Sequence, residues 1–161
     1  MAIYSMDQAE YWVEPESFIQ FEDMRTSHRL LGEDPGSPRV VVMDMKPGFV
    51  IPRHAHGCER FEVIVQGSLY SGDDELRVGT IMLAHPGEVY GPKVAGPEGC
   101  MTVEVFARND TSASEFELDD GTFFTFSTTA DKEYPPNLAR REWIEEHQRK
   151  AREGAAALAV S

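Results

Sequence analysis

The chain has 161 residues, of which 28 are acidic and 15 are basic, so its formal net charge is −13. This length suits one core, and we predict a single domain over residues 1–161. The negative charge would repel nucleic acid and anionic membrane surfaces, and the sequence has no apolar run of about 18 residues to span a bilayer. Because the first residues lack a basic leader and a long apolar run, we expect a soluble cytoplasmic protein.

Short β-rich segments recur along the middle of the chain, with Gly or Pro between them. The clearest is "RVVVMDM" at 39–45, and "RFEVIVQG" at 60–67 alternates so that Arg60, Glu62 and Ile64 share one face. A hairpin is predicted around Gly72. Further strands are predicted in "TIMLA" (80–84), "CMTVEVFA" (100–107) and "GTFFTFSTT" (121–129), with an edge strand in "SFIQFEDM" (17–24). This spacing is typical of an antiparallel barrel or sandwich.

The end of the chain has a different composition. After two prolines at 135–136 it is rich in helix formers, which predicts a C-terminal α-helix over about 137–157 with Asn137 as its cap. Gly154 is predicted to mark where this helix frays. An apolar stripe spaced by seven residues would pack on the sheet or on a partner subunit; it consists of Ile144, Ala151 and Leu158.

His54 and His56 are separated by a single residue, next to a predicted strand. On an extended strand, residues i and i+2 point to the same face, so the two imidazoles could chelate one ion. Two ligands make only half of a metal site. The alternative is that the pair lies by coincidence on a solvent-facing strand, and the flanking residues must decide between the two.

The flanking residues form two motifs. Gly48, five residues, the His-x-His at 54–56, an acidic stretch and then Gly67 resemble the first motif of the cupin superfamily. The segment "GTIMLAHPGEVYGP" at 79–92 is similar to the second motif. The resemblance covers roughly 40–107 and implies an all-β fold, an antiparallel jelly-roll β-barrel with its core at about 39–130. Cupins include dioxygenases, decarboxylases, isomerases, lyases and metal-free binding modules, so the fold does not settle the reaction.

The sequence departs from the cupin pattern at two ligand positions. Arg60 stands where the family has a glutamate, and Glu62, which shares the strand face of Arg60, is the expected substitute. Tyr90 stands where the family has its last histidine and is a weaker ligand but a good proton donor or substrate anchor. His85 lies five residues earlier and is a further candidate. The expected metal ligands are therefore His54, His56 and Glu62, with Tyr90 or His85 as the fourth.

Each of these residues also has a structural interpretation. Arg60 and Glu62 would form a polar strand face in water, Tyr90 would be an aromatic at the barrel mouth, and His85 would cap a turn.

Two imidazoles and one carboxylate leave open positions that suit non-haem Fe(II), and also accept Mn, Ni, Zn or Co. Arg60 is expected to pair with an anionic substrate, and Tyr90 to stabilise an oxyanion or relay a proton. Together with a resemblance to cupin dioxygenases that cleave diketones or phenolic ketones, this favours a metal-dependent dioxygenase acting on a small enolisable or carboxylate-bearing molecule.

Two alternatives stay open at this point. One is a non-redox lyase, isomerase or cyclase with Tyr90 and Glu62 as acid and base, and the other is a cupin that binds a small molecule without catalysis. Because cupins commonly dimerise by sheet packing, we expect a homodimer.

Overall fold

Two antiparallel β-sheets and one α-helix make up the described part of the chain. The computed structural model describes residues 2–12, 21–125 and 133–160. A short 3₁₀ turn at Ala9–Tyr11 precedes the strands, and helix α1 spans Arg141–Leu158. The strands are β1 Met24–Leu30, β2 Arg39–Met45, β3 Val50–Ile51, β4 His54–Ala55, β5 Arg60–Ser71, β6 Asp74–Arg77, β7 Ile81–Ala84, β8 Lys93–Phe106, β9 Glu115–Glu117 and β10 Phe123–Phe124.

The larger sheet is organised around its two longest strands. Its neighbouring strands are β1, β2, β8, β5 and β6 in that order, while β3 also pairs with β8 and β7 also pairs with β5. The smaller sheet has the order β10, β9, β4. All of these pairs are antiparallel. The mostly β, antiparallel architecture with a C-terminal helix confirms that part of the predicted fold class.

The interior face of the larger sheet follows the predicted alternation. On β5 the side chains of Arg60, Glu62 and Ile64 are buried, whereas Val65 is exposed. Strand β2 spans the predicted residues and buries Val41 on the same interior side. The apolar part of this core consists of Met24, Val41, Met43, Met45, Phe49, Cys58, Ile64, Leu69, Ala95, Cys100 and Phe106. Both free cysteines, Cys58 and Cys100, are buried.

The first edge strand differs from its prediction. It was predicted at 17–24, of which 17–20 lie outside the described residues, and β1 instead runs from Met24 to Leu30. Thr26 and Ser27 are buried in it, so polar residues on both faces hide the alternation that marks a strand. Of the strand predicted at 121–129, the structure has β10 at Phe123–Phe124, and 126–129 lie outside the described residues.

Helix α1 begins later than predicted. It starts at Arg141 after Arg140, whose φ of 59° ends the preceding loop, so Asn137 is not the cap. Ile144 and Ala151 are buried as predicted, while Leu158 is exposed. The buried stripe packs against the outside of the larger sheet, on Val50, Tyr70 and Val94.

Gly154 is a packing position, and the prediction that the helix frays there was wrong. The helix continues to Leu158. A Cβ atom on Gly154 would lie 2.8 Å from Cγ of Pro97 in β8, so only glycine lets the helix approach the strand this closely.

The outer face of β5 and β7 carries exposed apolar side chains. Val65, Ile81 and Leu83 are 43%, 58% and 71% exposed. The predicted homodimer stays a prediction.

Alanine variants of Gly67 and Gly72 test how closely β5 approaches β8 at Gly67. Both have left-handed φ, at 69° and 60°, but a Cβ on Gly67 would lie 2.0 Å from the Gly99 carbonyl oxygen, whereas nothing lies within 4 Å of one on Gly72. Gly72→Ala should therefore lower the free energy of unfolding by about 1–2 kcal/mol through backbone strain alone. Gly67→Ala should cost roughly 1–3 kcal/mol more, because the strands must separate. Urea unfolding of the two variants measures the difference, and equal costs would contradict this packing.

Candidate functional site

His54, His56 and Tyr90 lie together because two backbone segments pair. His54 is in β4, and its backbone exchanges two hydrogen bonds with Tyr90, each 3.0 Å long. The ring of Tyr90 lies 4.5 Å from that of His54, and the ring of His56 lies 4.9 Å from that of His54. The segment that resembles the second cupin motif is therefore held against the first.

Both imidazoles are fixed in one tautomer. Nδ1 of His54 donates to the Pro52 carbonyl at 2.6 Å, and Nδ1 of His56 donates to the Ser112 carbonyl at 2.8 Å. Since a carbonyl oxygen can only accept, Nδ1 carries the proton and Nε2 keeps its lone pair. Burial, followed by the charges of neighbouring groups, lowers the pKa of His54 well below its ordinary value. Burial also lowers the pKa of His56 to about 4, so both rings are neutral at neutral pH.

Arg60 is held by two carboxylates inside the protein. Its Nε and Nη2 donate to the two oxygens of Glu104, each at 3.0 Å, in a bidentate pair. Nη2 also donates to Oε2 of Glu62. Arg60 is 3% exposed, so its charge is compensated inside the protein rather than by solvent.

Lys93 and Glu104 are two interior residues that the sequence analysis missed. Lys93 Nζ donates to Oε2 of Glu62, the same oxygen that Arg60 contacts. Glu62 and Glu104 are directly opposite each other on β5 and β8. The alternation within "CMTVEVFA" could have placed Glu104 on an interior face with Cys100, but no local pattern marks Lys93. We call Arg60, Glu62, Lys93 and Glu104 the charge network.

The pKa shifts of the network follow from burial and pairing. For Glu104, burial alone would raise the pKa, but the charge and hydrogen bonds of Arg60 outweigh it and lower the pKa to about 2. Burial opposes the charge on Arg60 as well, yet Glu104 and Glu62 raise its pKa above the ordinary value. Burial lowers the pKa of Lys93 against the attraction of Glu62. In the structure Arg60 and Lys93 both contact Glu62, and Arg60 also pairs with Glu104.

Tyr90 links the histidines to the charge network. Its ring centre is 4.8 Å from the guanidinium carbon of Arg60 and 5.0 Å from Nζ of Lys93. Burial raises the pKa of Tyr90 well above its ordinary value despite the opposing charge of Arg60, so the hydroxyl stays protonated. The two histidines, Tyr90 and the charge network form what we call the interior cluster.

His85 does not join the interior cluster. Its side chain is exposed, and its backbone N–H donates to the Glu88 carboxylate at 2.9 Å in a turn. The structure thus brings together five of the six sequence-predicted site residues: His54, His56, Arg60, Glu62 and Tyr90.

Comparisons with known proteins place the fold. No protein-family model matches the sequence, and no curated protein matches it. The RmlC-like cupin protein of Ralstonia eutropha JMP134 has a TM-score of 0.53 at 17% identity, covering 68% of this chain and 69% of that one. A protein of unknown function with a cupin-like fold, from the same organism, has a TM-score of 0.52 at 15% identity, covering 80% and 75%. The chain has a cupin-like fold.

A weaker likeness involves an enzyme. Oxalate decarboxylase of Lactobacillus farciminis, in its formate complex, has a TM-score of 0.49 at 21% identity, covering 60% of this chain and 32% of that one. The match spans about a third of the enzyme's length. The resemblance to diketone-cleaving cupin dioxygenases stays a prediction.

Within the cupin-like fold, the donor set at the interior cluster does not fit a resident divalent metal. Among the described residues, no three His, Cys, Asp or Glu side chains lie close enough to share an ion. The histidines supply two nitrogens, but Oε2 of Glu62 is held by Arg60 and Lys93. The Arg60 guanidinium, whose pKa is raised by Glu104 and Glu62, would also repel a divalent ion beside the histidines.

In the parts of the chain that the structure describes, no helix is both long and apolar enough to cross a membrane.

A surface cleft of about 470 Å³ lies at the start of α1, away from the interior cluster, and is lined by Asp119, Pro136, Asn137, Leu138, Arg140, Arg141 and Glu142.

The stability of the protein should fall in acid in two stages. The pKa of His56 and that of His28 are lowered from 6.5 to about 4, chiefly by burial, so unfolding is favoured as the pH falls from 6.5 towards 4. The pKa of Glu104 is lowered from 4.5 to about 2, and its contribution is lost over that lower range. Denaturant unfolding between pH 7 and pH 2 measures both stages.

His28→Gln should make the upper stage of this profile shallower, because it removes one of the buried histidines whose pKa is lowered, while His54 and His56 remain. Stability that is constant from pH 7 to pH 4 would contradict neutral buried histidines.

Proposed function

We propose that the interior cluster is the active site of a non-redox enzyme, of the lyase, isomerase or cyclase type, that acts on a small oxygenated anion. Tyr90 and Glu62 serve as acid and base in this proposal. His54 and His56 contribute neutral acceptor nitrogens, and Arg60 with Lys93 holds the carboxylate of Glu62.

Unpartnered polar atoms carry the proposal. Among the described side chains, the Tyr90 hydroxyl, Oε1 of Glu62 and Nε2 of His56 are buried and have no hydrogen-bond partner. Leaving such atoms unpaired costs about 1–3 kcal/mol each, so a purely structural interior would not retain three of them in one cluster. A small ligand that offers both donors and acceptors would satisfy all three.

The two reactive groups have complementary roles. Tyr90 stays protonated because burial raises its pKa, so it can donate to an oxygen on which charge develops. Glu62 is held through Oε2, which leaves Oε1 as the free acceptor. Oε1 would take a proton from carbon beside a carbonyl and return it at another atom, with no change in oxidation state.

A metal-dependent dioxygenase is the second candidate, and one observation favours it. The Nδ1 hydrogen bonds of His54 and His56 leave both Nε2 atoms with lone pairs, as in metal-binding histidines. We place it second because Arg60 and Lys93 already hold Glu62, the expected third ligand.

Hydrogen–deuterium exchange on small enolisable carboxylates tests the proposal. Protein in D₂O with EDTA should exchange the protons beside the carbonyl of pyruvate, 2-oxobutyrate or acetoacetate faster than buffer alone, as followed by NMR. Tyr90→Phe should slow this exchange about a hundredfold, within the range for general acid–base groups. Tyr70→Phe is the matched control, because Tyr70 packs under α1, away from the interior cluster. The Tyr70→Phe variant should exchange the substrate protons at the wild-type rate.

Two outcomes would contradict the proposal. One is the absence of protein-dependent exchange with all three compounds. The other is that untagged protein contains one equivalent of transition metal, which the His54→Ala/His56→Ala double variant lacks, and that it consumes O₂ with substrate unless EDTA is added. The second outcome would establish the metal-dependent candidate.

A further inference from the structure

Arg39 lies in the same cross-strand row as Arg60. On the interior face of the larger sheet, Phe106 of β8 pairs with Arg60 of β5 on one side and with Arg39 of β2 on the other. The guanidinium carbon of Arg39 is 4.8 Å from the ring centre of Phe106. The ring of His56 also contacts Phe106, with 4.8 Å between centres. Arg39 and His56 therefore border the same aromatic ring.

The two arginines differ in their partners. Both oxygens of Glu104 and one oxygen of Glu62 accept hydrogen bonds from Arg60, which commits that guanidinium to the protein. Arg39 is half-buried, and within the described ranges no carboxylate lies within ion-pair distance of it. Its Nε is buried without a hydrogen-bond partner.

Arg39 is the cation of this row that lacks a direct carboxylate partner among the described residues. Arg60 and Lys93 are matched by Glu62 and Glu104, and Arg39 adds a third cation without a carboxylate of its own. Burial lowers the pKa of Arg39, and the charge of Glu104, which pairs directly with Arg60, offsets this only in part. The planar fork of Arg39 matches the two oxygens of a carboxylate. One monoanion at this position would neutralise the row.

We infer that Arg39, rather than Arg60, is the anion anchor of the site, binding the single carboxylate of a small monocarboxylate ligand beside Phe106. This inference rests on the proposed function, because it names the part of that site that holds the ligand. It replaces the substrate-binding role that the sequence suggested for Arg60, whose task is instead to hold Glu104 and Glu62.

The role has two separate consequences for an Arg39→Met variant, which keeps much of the side-chain length and removes the charge. Without ligand, the variant should melt at the same temperature as wild type or higher, because the removed cation is partly buried and has no direct carboxylate partner. With ligand, it should lose the stabilisation that a carboxylate gives to wild type, since a charge-assisted contact accounts for roughly tenfold or more in affinity.

Thermal unfolding without ligand, and with acetate, pyruvate or acetoacetate, measures both consequences, with neutral pyruvamide as the control compound. Arg25→Met is the matched control variant, because Arg25 lies on the outer face of β1, paired with Asp44, and carries the same charge. We expect at least one carboxylate, but not pyruvamide, to raise the melting temperature of wild type and of Arg25→Met while leaving Arg39→Met unchanged.

The failures are distinguishable. If the same carboxylate stabilises Arg39→Met as much as wild type, the anchor lies elsewhere and the proposed function survives. If Arg39→Met melts well below wild type without ligand, Arg39 is a structural residue and the inference is overturned. If none of the three carboxylates stabilises wild type, the inference and the proposed site fail together.

Discussion

Two carboxylates face each other across adjacent strands inside this protein, and the rest of the site depends on how their charge is compensated. Glu62 and Glu104 are cross-strand partners, and Arg60 and Lys93 supply the matching positive charge. Burying such groups removes several kcal/mol of hydration from each ion, so they tolerate one another only as a connected set. The same desolvation keeps His54 and His56 neutral and Tyr90 protonated, which gives the cluster its donors and acceptors.

The sequence could predict whatever depends on local period or on short spacing. Strand alternation put Arg60, Glu62 and Ile64 on one face, and the His-x-His spacing brought two imidazoles together. It could not predict Lys93, because this residue reaches Glu62 only through the pairing of β8 with β5, some 30 positions apart in the chain. Strand β1 was misplaced because its buried Thr26 and Ser27 are polar, and the helix start was misplaced because tertiary packing, rather than a side-chain cap, sets it.

Arg60 and Tyr90, the two positions at which the sequence differs from the motif that it resembles, have one common physical effect. The Arg60 guanidinium is positively charged and the Tyr90 hydroxyl stays protonated, so neither supplies an anionic donor beside the histidine pair. Lys93 then occupies Oε2 of Glu62 together with Arg60, so the carboxylate expected as the third ligand is already held by two basic side chains. A cupin-like fold accepts this change because the two sheets set only the positions of these side chains, while the residues themselves decide the chemistry.

A double-mutant cycle on Arg60 and Glu104 tests the charge network most directly. Arg60→Met and Glu104→Gln should each lower the free energy of unfolding by about 3–5 kcal/mol, because each leaves a buried partner uncompensated. The double variant should lose much less than the sum, giving a coupling energy of at least about 2 kcal/mol. The exposed pair of Arg149 and Glu153 is the matched control, with an expected coupling of about 0.5 kcal/mol or less. Additive losses at Arg60 and Glu104 would contradict a buried, mutually dependent network.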